Sequence, residues 1–238
     1  MGDERFIREE SLLGPEGMAK LNRSHVAVFG LGGVGSWAVE ALVRGGVGTL
    51  TLIDFDTVSE SNINRQLFAL TSTLGQPKAL VAASRAADIR PDIHVNPIVE
   101  RYSAETRDEL LHREYDYVLD AIDIVTSKLD LIQSAHEMGL SIVSCLGTGN
   151  RLSAADFRIS DISDTRDDPL ARVMRKELRK RGILHTPVLW APGEAAVPAK
   201  TTEEPPQGRR SIPGSVSWVP SAAGLMLAGY VIRALADR

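Results

Sequence analysis

HVAVFGLGGVG, running from His25 to Gly35, decides the fold. Its first half is a short apolar run rich in valine, the pattern of a strand buried on both faces. Its second half, Gly30-Leu31-Gly32-Gly33-Val34-Gly35, spaces glycines so that the chain can turn sharply, admit a phosphate close to the backbone, and pack the next helix tightly on the strand. That helix aims its free N–H groups and the positive end of its dipole at the anion. A turn of this kind calls for an acidic residue about 20 positions on, to take ribose hydroxyls, and Asp54 stands 19 residues after Gly35. Gly30, Gly32, Gly33, Gly35 and Asp54 are therefore candidate nucleotide contacts; a glycine-rich packing turn is the plainer alternative.

Outward from this unit, β-rich runs at 49–54, 94–99, 117–120 and 141–145 alternate with helix-period segments at 33–46, 77–89, 104–112 and 126–138. Such alternation predicts a Rossmann-like, doubly wound α/β fold with a mostly parallel sheet. After Gly149 the rhythm changes. Strands are expected at 156–162, 188–191 and 216–219, extending the sheet with antiparallel strands, together with a basic helix at 169–181 and an apolar last helix at 220–236. The expected organisation is one domain over 1–238: a helical arm (1–24), a nucleotide-binding core (25–150), and an extension (151–238) that faces substrate. Five prolines between 192 and 214 make a mobile surface loop the expected state there.

Composition narrows the class. The 238 residues carry 27 Lys plus Arg against 31 Asp plus Glu, a net −4, and 43% are apolar, so disorder is excluded and a full core can be buried. One cysteine, Cys145, excludes a disulfide framework and a Cys-rich zinc site, and suits a reducing cytoplasm. It reads as a small buried hydrophobe, with reactivity left open because the nucleotide edge is near. The start MGDERFIREE lacks the apolar core of a signal peptide. Residues 211–232 are uncharged, but Pro213, Gly214 and Pro220 interrupt them, short of the roughly 20 residues a membrane span needs. The five histidines show no metal-ligand spacing, and no general base stands out.

The stretch Asp54-Phe55-Asp56-Thr57-Val58-Ser59-Glu60-Ser61-Asn62-Ile63-Asn64-Arg65-Gln66 forms a long polar loop beyond the second strand, bringing Asp56, Asn62, Arg65 and Gln66 to the sheet's carboxyl edge. Gly75-Gln76-Pro77-Lys78 then sets a lysine in the first turn of a helix, where it opposes the dipole and favours an anionic partner. An arginine and a lysine beside a ribose carboxylate suit a triphosphate better than a dinucleotide; solvated surface charge is the alternative. Tyr117–Asp120 continues as Ala121-Ile122-Asp123. A carboxylate facing a triphosphate commonly does so through Mg²⁺. Asp123 is the better candidate, since Asp120 still belongs to the strand and suits a cap on the following turn.

Taken together, the glycine turn, the Asp54–Gln66 loop, Lys78 and the Asp120–Asp123 strand end resemble the ubiquitin-activating-enzyme-like (ThiF/MoeB/HesA) family, in that family's order. Arg5-Phe6-Ile7-Arg8 is similar to its N-terminal arginine motif. The resemblance implies a homodimer that uses ATP to activate a carboxylate as an acyl-adenylate. Gly32 would approach the phosphates, Asp54 the ribose, and Asn62, Arg65 and Lys78 the triphosphate. Asp123 would hold Mg²⁺, and Arg8 would reach across the dimer interface. Arg65, Lys78, Asp123 and Arg8 are thus the implied catalytic set.

Lacking the cysteines of the zinc-bearing sulfur-carrier adenylyltransferases, the chain looks most like the branch that dehydrates threonylcarbamoyladenosine in tRNA. That branch implies tRNA as partner, no DNA, and possible cysteine-desulfurase or sulfur-acceptor partners. A zinc-free adenylyltransferase for a ubiquitin-like sulfur carrier is the alternative; an NAD oxidoreductase and a nucleotide-sensing scaffold are weaker ones. One feature independent of resemblance favours RNA. Residues 166–181 hold seven cations against three carboxylates, and Arg172, Arg175, Lys176, Arg179 and Lys180 recur at helical spacing. A solvated helix is the bland reading of that face. Arg209 and Arg210 could add to it.

Overall fold

The computed structural model describes residues 3–193, 196, 197, 199 and 213–237. In chain order the elements are α1 (Ile7–Arg23), β1 (His25–Phe29), α2 (Gly35–Arg44), β2 (Thr49–Ile53), α3 (Lys78–Ile89), β3 (His94–Ile98), α4 (Arg107–Leu110), β4 (Tyr117–Asp120), α5 (Val125–Met138), β5 (Ile142–Cys145), β6 (Arg158–Asp161), α6 (Pro169–Lys180), β7 (Pro187–Trp190) and α7 (Trp218–Ala236). The strands form one sheet in the order β3-β2-β1-β4-β5-β7-β6, parallel throughout except for β6 against β7.

Register explains where a ligand can sit. Phe29 lies level with Ile53 of β2 and with Asp120 of β4, so Gly30, Asp54 and Ala121 emerge side by side at the carboxyl edge. Strand order reverses direction between β1 and β4, the switch point at which doubly wound sheets open a crevice. Alternate residues of each strand serve opposite cores. Val26, Val28, Leu50, Leu52 and Leu119 pack with α2, α3 and α7 on one face. Ala27, Phe29, Ile53 and Val118 pack with α4, α5 and α6 on the other. Leu42 of α2 is fully buried, and truncating it to alanine costs about 2–5 kcal/mol.

Three expectations are corrected. The helix expected at 104–112 shrinks to Arg107–Leu110. Thr106 Oγ1 donates to the Arg101 carbonyl at 2.7 Å and accepts the Ser103 N–H at 3.0 Å, a local turn that competes with helix at the segment's start. Residues 216–219 form no strand. Gly214 is tied to Asn150, Asn64 Nδ2 donates to the Ser215 carbonyl at 3.0 Å, and α7 begins at Trp218 with Pro220 in its first turn, where proline is tolerated. The antiparallel extension is therefore β6 alone, since β7 runs parallel to β5.

α7 is long and apolar enough to cross a membrane by composition, but more than half of it is buried, against α1 and α2. α1 kinks at Gly14, whose φ of +73° precedes Pro15. The arm leading into α1 is anchored at the amino edge of the sheet. Arg90 donates to the carbonyls of Gly46 and Val47, pairs with Asp92, and lies over the Phe6 ring at 5.4 Å. Much of the loop expected to be mobile, with Arg209 and Arg210, falls outside the described residues.

Candidate active site

The glycine turn is built by close approach. Gly30 has φ +88°, and a Cβ there would meet the Ala121 carbonyl oxygen at 2.8 Å. At Gly35 a Cβ would sit 1.8 Å from the Gly30 carbonyl oxygen, so no side chain fits. Gly33 packs beside Pro220 and the Arg65 stem, whereas Gly32 faces open space with only Gln66 Nε2 near 3.9 Å. That open side is where a phosphate can meet the backbone and the start of α2.

Asp54 fastens this turn from β2. Its Oδ2 accepts the Leu31 N–H at 2.6 Å and its Oδ1 accepts the Asp56 N–H at 2.8 Å. Burial raises its pKa above the ordinary aspartate value, opposed by the charge of Lys78 and by these two N–H donors. Each carboxylate oxygen keeps a second lone pair for a hydroxyl.

The Asp54–Gln66 loop closes one side. Asn62 and Gln66 are buried, and Asn62 Oδ1 accepts the Ser59 N–H at 3.2 Å, so that side chain helps shape the loop. The Arg65 guanidinium donates to the Ser61 carbonyl at 2.8 Å and to Asn64 Oδ1 at 2.9 Å, while its own carbonyl accepts from the Trp37 indole. Lys78 is buried at the start of α3, its Nζ 3.0 Å from Asp56 Oδ2, and that carboxylate is half exposed. Lys78, whose charge acts on Asp54, and Arg65, whose stem packs beside Gly33, thus both stand next to the glycine turn. Asp123 lies exposed three residues beyond the end of β4, on the same edge.

Arg8 is not part of this assembly. It is exposed two residues after Phe6, whose ring lies beside Gly46 and Arg90 at the opposite edge of the sheet. Cys145 is buried, its thiol 3.2 Å from the Leu146 carbonyl, and burial pushes its pKa up to about 12; it is an inert core residue.

The basic helix is α6, capped by Asp168, whose Oδ1 accepts the Ala171 N–H at 2.9 Å. Arg172, Arg175, Lys176, Arg179 and Lys180 line a surface groove of about 360 Å³. They are not equivalent. Arg172, Lys176 and Arg179 are exposed, whereas Arg175 turns back to donate to the Thr165 carbonyl and hydroxyl, and Lys180 pairs with Glu177 at 2.7 Å.

One cluster escaped the sequence reading: Lys128 of α5, Asp120 of β4 and Ser144 of β5, all fully or nearly fully buried behind the crevice. The available signal was a lysine at 128 in the same helical stripe as the apolar positions 131, 132 and 135.

Known proteins resemble this chain along most of its length. A tRNA threonylcarbamoyladenosine dehydratase of Bacillus subtilis is 38% identical over 236 residues, covering 96% of this chain and 93% of the relative. One of Haemophilus influenzae is 42% identical over 178 residues, covering 75% and 68%. The crystal structure of Escherichia coli tRNA N6-threonylcarbamoyladenosine dehydratase in complex with ATP superposes with a TM-score of 0.88 at 29% identity, covering 98% of this chain and 94% of that one. The model of the ThiF family matches residues 6–238. With the glycine turn, the Asp54 loop and the β4 end in place within that span, the chain belongs to the ThiF family.

Proposed function

We propose that this chain is an ATP-dependent tRNA threonylcarbamoyladenosine dehydratase, active in the cytoplasm. The observation that carries the reading is the glycine turn fastened by Asp54 at the β1/β4 switch point, in a chain related to such enzymes along nearly its whole length. A carboxylate is a poor electrophile, because its charge repels nucleophiles and oxide is a bad leaving group. The threonyl carboxylate oxygen attacks the α-phosphorus of ATP and pyrophosphate departs. A nitrogen of the same modification then attacks the acyl carbon, and AMP leaves with the former carboxylate oxygen. The substrate loses one water and supplies its own nucleophile, which agrees with a lone, buried Cys145.

The protein's task is to align carboxylate and α-phosphate and to spread the developing charge. Gly30, Gly32, Gly33 and Gly35 with the start of α2 receive phosphate, and Asp54 receives ribose hydroxyls. Lys78, exchanging Asp56 for phosphate, and Arg65 balance the triphosphate, with Asn62 and Gln66 shaping the wall. Among the described residues no group of three or more His, Cys, Asp or Glu could hold a metal. Mg²⁺ does not require such a group, since it takes one or two carboxylates plus phosphate and water. Asp123 is the carboxylate that would hold it, and the ion would neutralise charge on the phosphates.

Arg8 lies exposed at the edge opposite its own protomer's crevice; by family resemblance it is assigned to a homodimer in which each protomer lends Arg8 to the other. The exposed cations of α6 give tRNA phosphates a docking face, with Arg172, Lys176 and Arg179 available and Arg175 and Lys180 already engaged. The alternative, an adenylyltransferase for a sulfur-carrier protein, rests on relatives that match a smaller share of this chain. Mass spectrometry of tRNA nucleosides from cells with and without the protein tests the reading. The cyclic nucleoside should vanish in its absence and be replaced by the form heavier by one water; an unchanged nucleoside profile refutes it.

A further inference from the structure

We infer that Asp120 is a positioning residue for the nucleotide crevice, held in place by Lys128 and Ser144. Asp120 Oδ2 receives Lys128 Nζ at 2.7 Å and also the Ser144 hydroxyl, while Lys128 Nζ reaches Ser144 Oγ at 3.2 Å. Asp120 and Ser144 are fully buried and Lys128 is 2% exposed. All three lie in the interior, almost wholly out of contact with solvent.

The other oxygen of Asp120 explains the arrangement. Oδ1 accepts the Ile122 N–H at 3.0 Å, which fixes the turn from Asp120 to Asp123. Within that turn, the Ala121 N–H donates to the Phe29 carbonyl at 2.8 Å, and the Ala121 carbonyl lies against Gly30. The Ala121 side chain lies against Gly35. The turn is therefore the floor on which the phosphate-receiving glycines rest, and the path to Asp123. A buried ion pair is weak as a source of stability, since a well-packed apolar replacement is often neutral or better. Its structural consequence here is directional: Lys128 and Ser144 occupy one carboxylate oxygen and leave the other aimed at Ile122.

The test compares two double variants that both remove the buried charges. Asp120→Leu/Lys128→Met deletes the acceptor for Ile122; Asp120→Asn/Lys128→Met keeps one. ATP affinity is read by calorimetry without tRNA, and thermal midpoints are recorded alongside. The inference rests on the crevice being the ATP site: wild-type protein that fails to bind ATP refutes that reading, whereas the comparison between variants addresses Asp120 alone. The leucine variant should hold a midpoint near or above wild type yet bind ATP at least tenfold more weakly, with the asparagine variant within threefold of wild type. Wild-type ATP affinity in the leucine variant, or equal losses in both, overturns the inference. Should the leucine variant not fold, Ser144→Ala decides: a loss of ATP affinity of threefold or more supports the inference, and none refutes it.

Discussion

The glycine turn and α6 both meet phosphate in this account, by opposite physical means. The turn offers backbone N–H groups in a geometry fixed before any ligand arrives: Asp54 holds Leu31, Ala121 abuts Gly30, and Gly35 has no space for a side chain. α6 offers mobile, solvated charge on long side chains, two of them already engaged with Thr165 and Glu177. A fixed site is damaged by small displacements and resists salt; a charge field tolerates displacement and fails in salt.

Gly35→Ala should break the turn outright. A methyl group 1.8 Å from the Gly30 carbonyl oxygen forces the turn to move, and turnover should fall at least about 100-fold. Wild-type turnover in that variant would remove the contrast altogether.

Asp54→Ala removes two hydrogen bonds to a charged acceptor, and ATP affinity should fall roughly 10- to 30-fold by titration calorimetry. Its raised pKa gives a pH signature. Because the folded state holds that proton more readily than the unfolded chain, ionisation as pH rises costs stability. ATP binding has the opposite dependence, since the ionised form accepts the N–H groups and hydroxyls. Affinity should therefore decline on acidification at a pH above the ordinary aspartate value, and Asp54→Asn should flatten the decline.

Charge reversal at Arg172, Lys176 and Arg179 together should leave ATP affinity unchanged, weaken tRNA about tenfold at low salt, and lower the salt slope of binding by about two to three. Arg175→Ala, whose guanidinium is spent on Thr165, should weaken tRNA by no more than about twofold. Equal effects at Arg172 and Arg175 would show that the helix acts as undifferentiated charge. The smallest expected effect is at Cys145→Ala: turnover within about twofold of wild type, because a buried, protonated thiol is only a small apolar side chain.

The same contrast explains what could be read from sequence. The turn is legible because Gly30 and Gly35 answer local steric demands, and the Asp54 spacing follows from one helix and one strand. β1 and β4 kept their expected bounds, since short apolar runs between turn residues admit few alternatives. The expected strand at 216–219 failed because Asn150 and Asn64, remote in sequence, draw its neighbours Gly214 and Ser215 elsewhere. Arg175 and Lys180 look like Arg172 in a helical projection; only tertiary and neighbouring partners tell them apart. Lys128 escaped notice because its partners come from two different strands, and Arg8, given a role across a dimer by resemblance, lies exposed in this chain on the far edge of the sheet.

The central claim is that the crevice converts an acid into an acyl-adenylate. It is tested most directly by running one turnover on tRNA whose threonyl carboxylate carries ¹⁸O at both oxygens, and analysing the released nucleotide by mass spectrometry. The account predicts AMP bearing one ¹⁸O atom per cyclised nucleoside, with unlabelled pyrophosphate. Unlabelled AMP, or label appearing in inorganic phosphate alongside ADP, would contradict it.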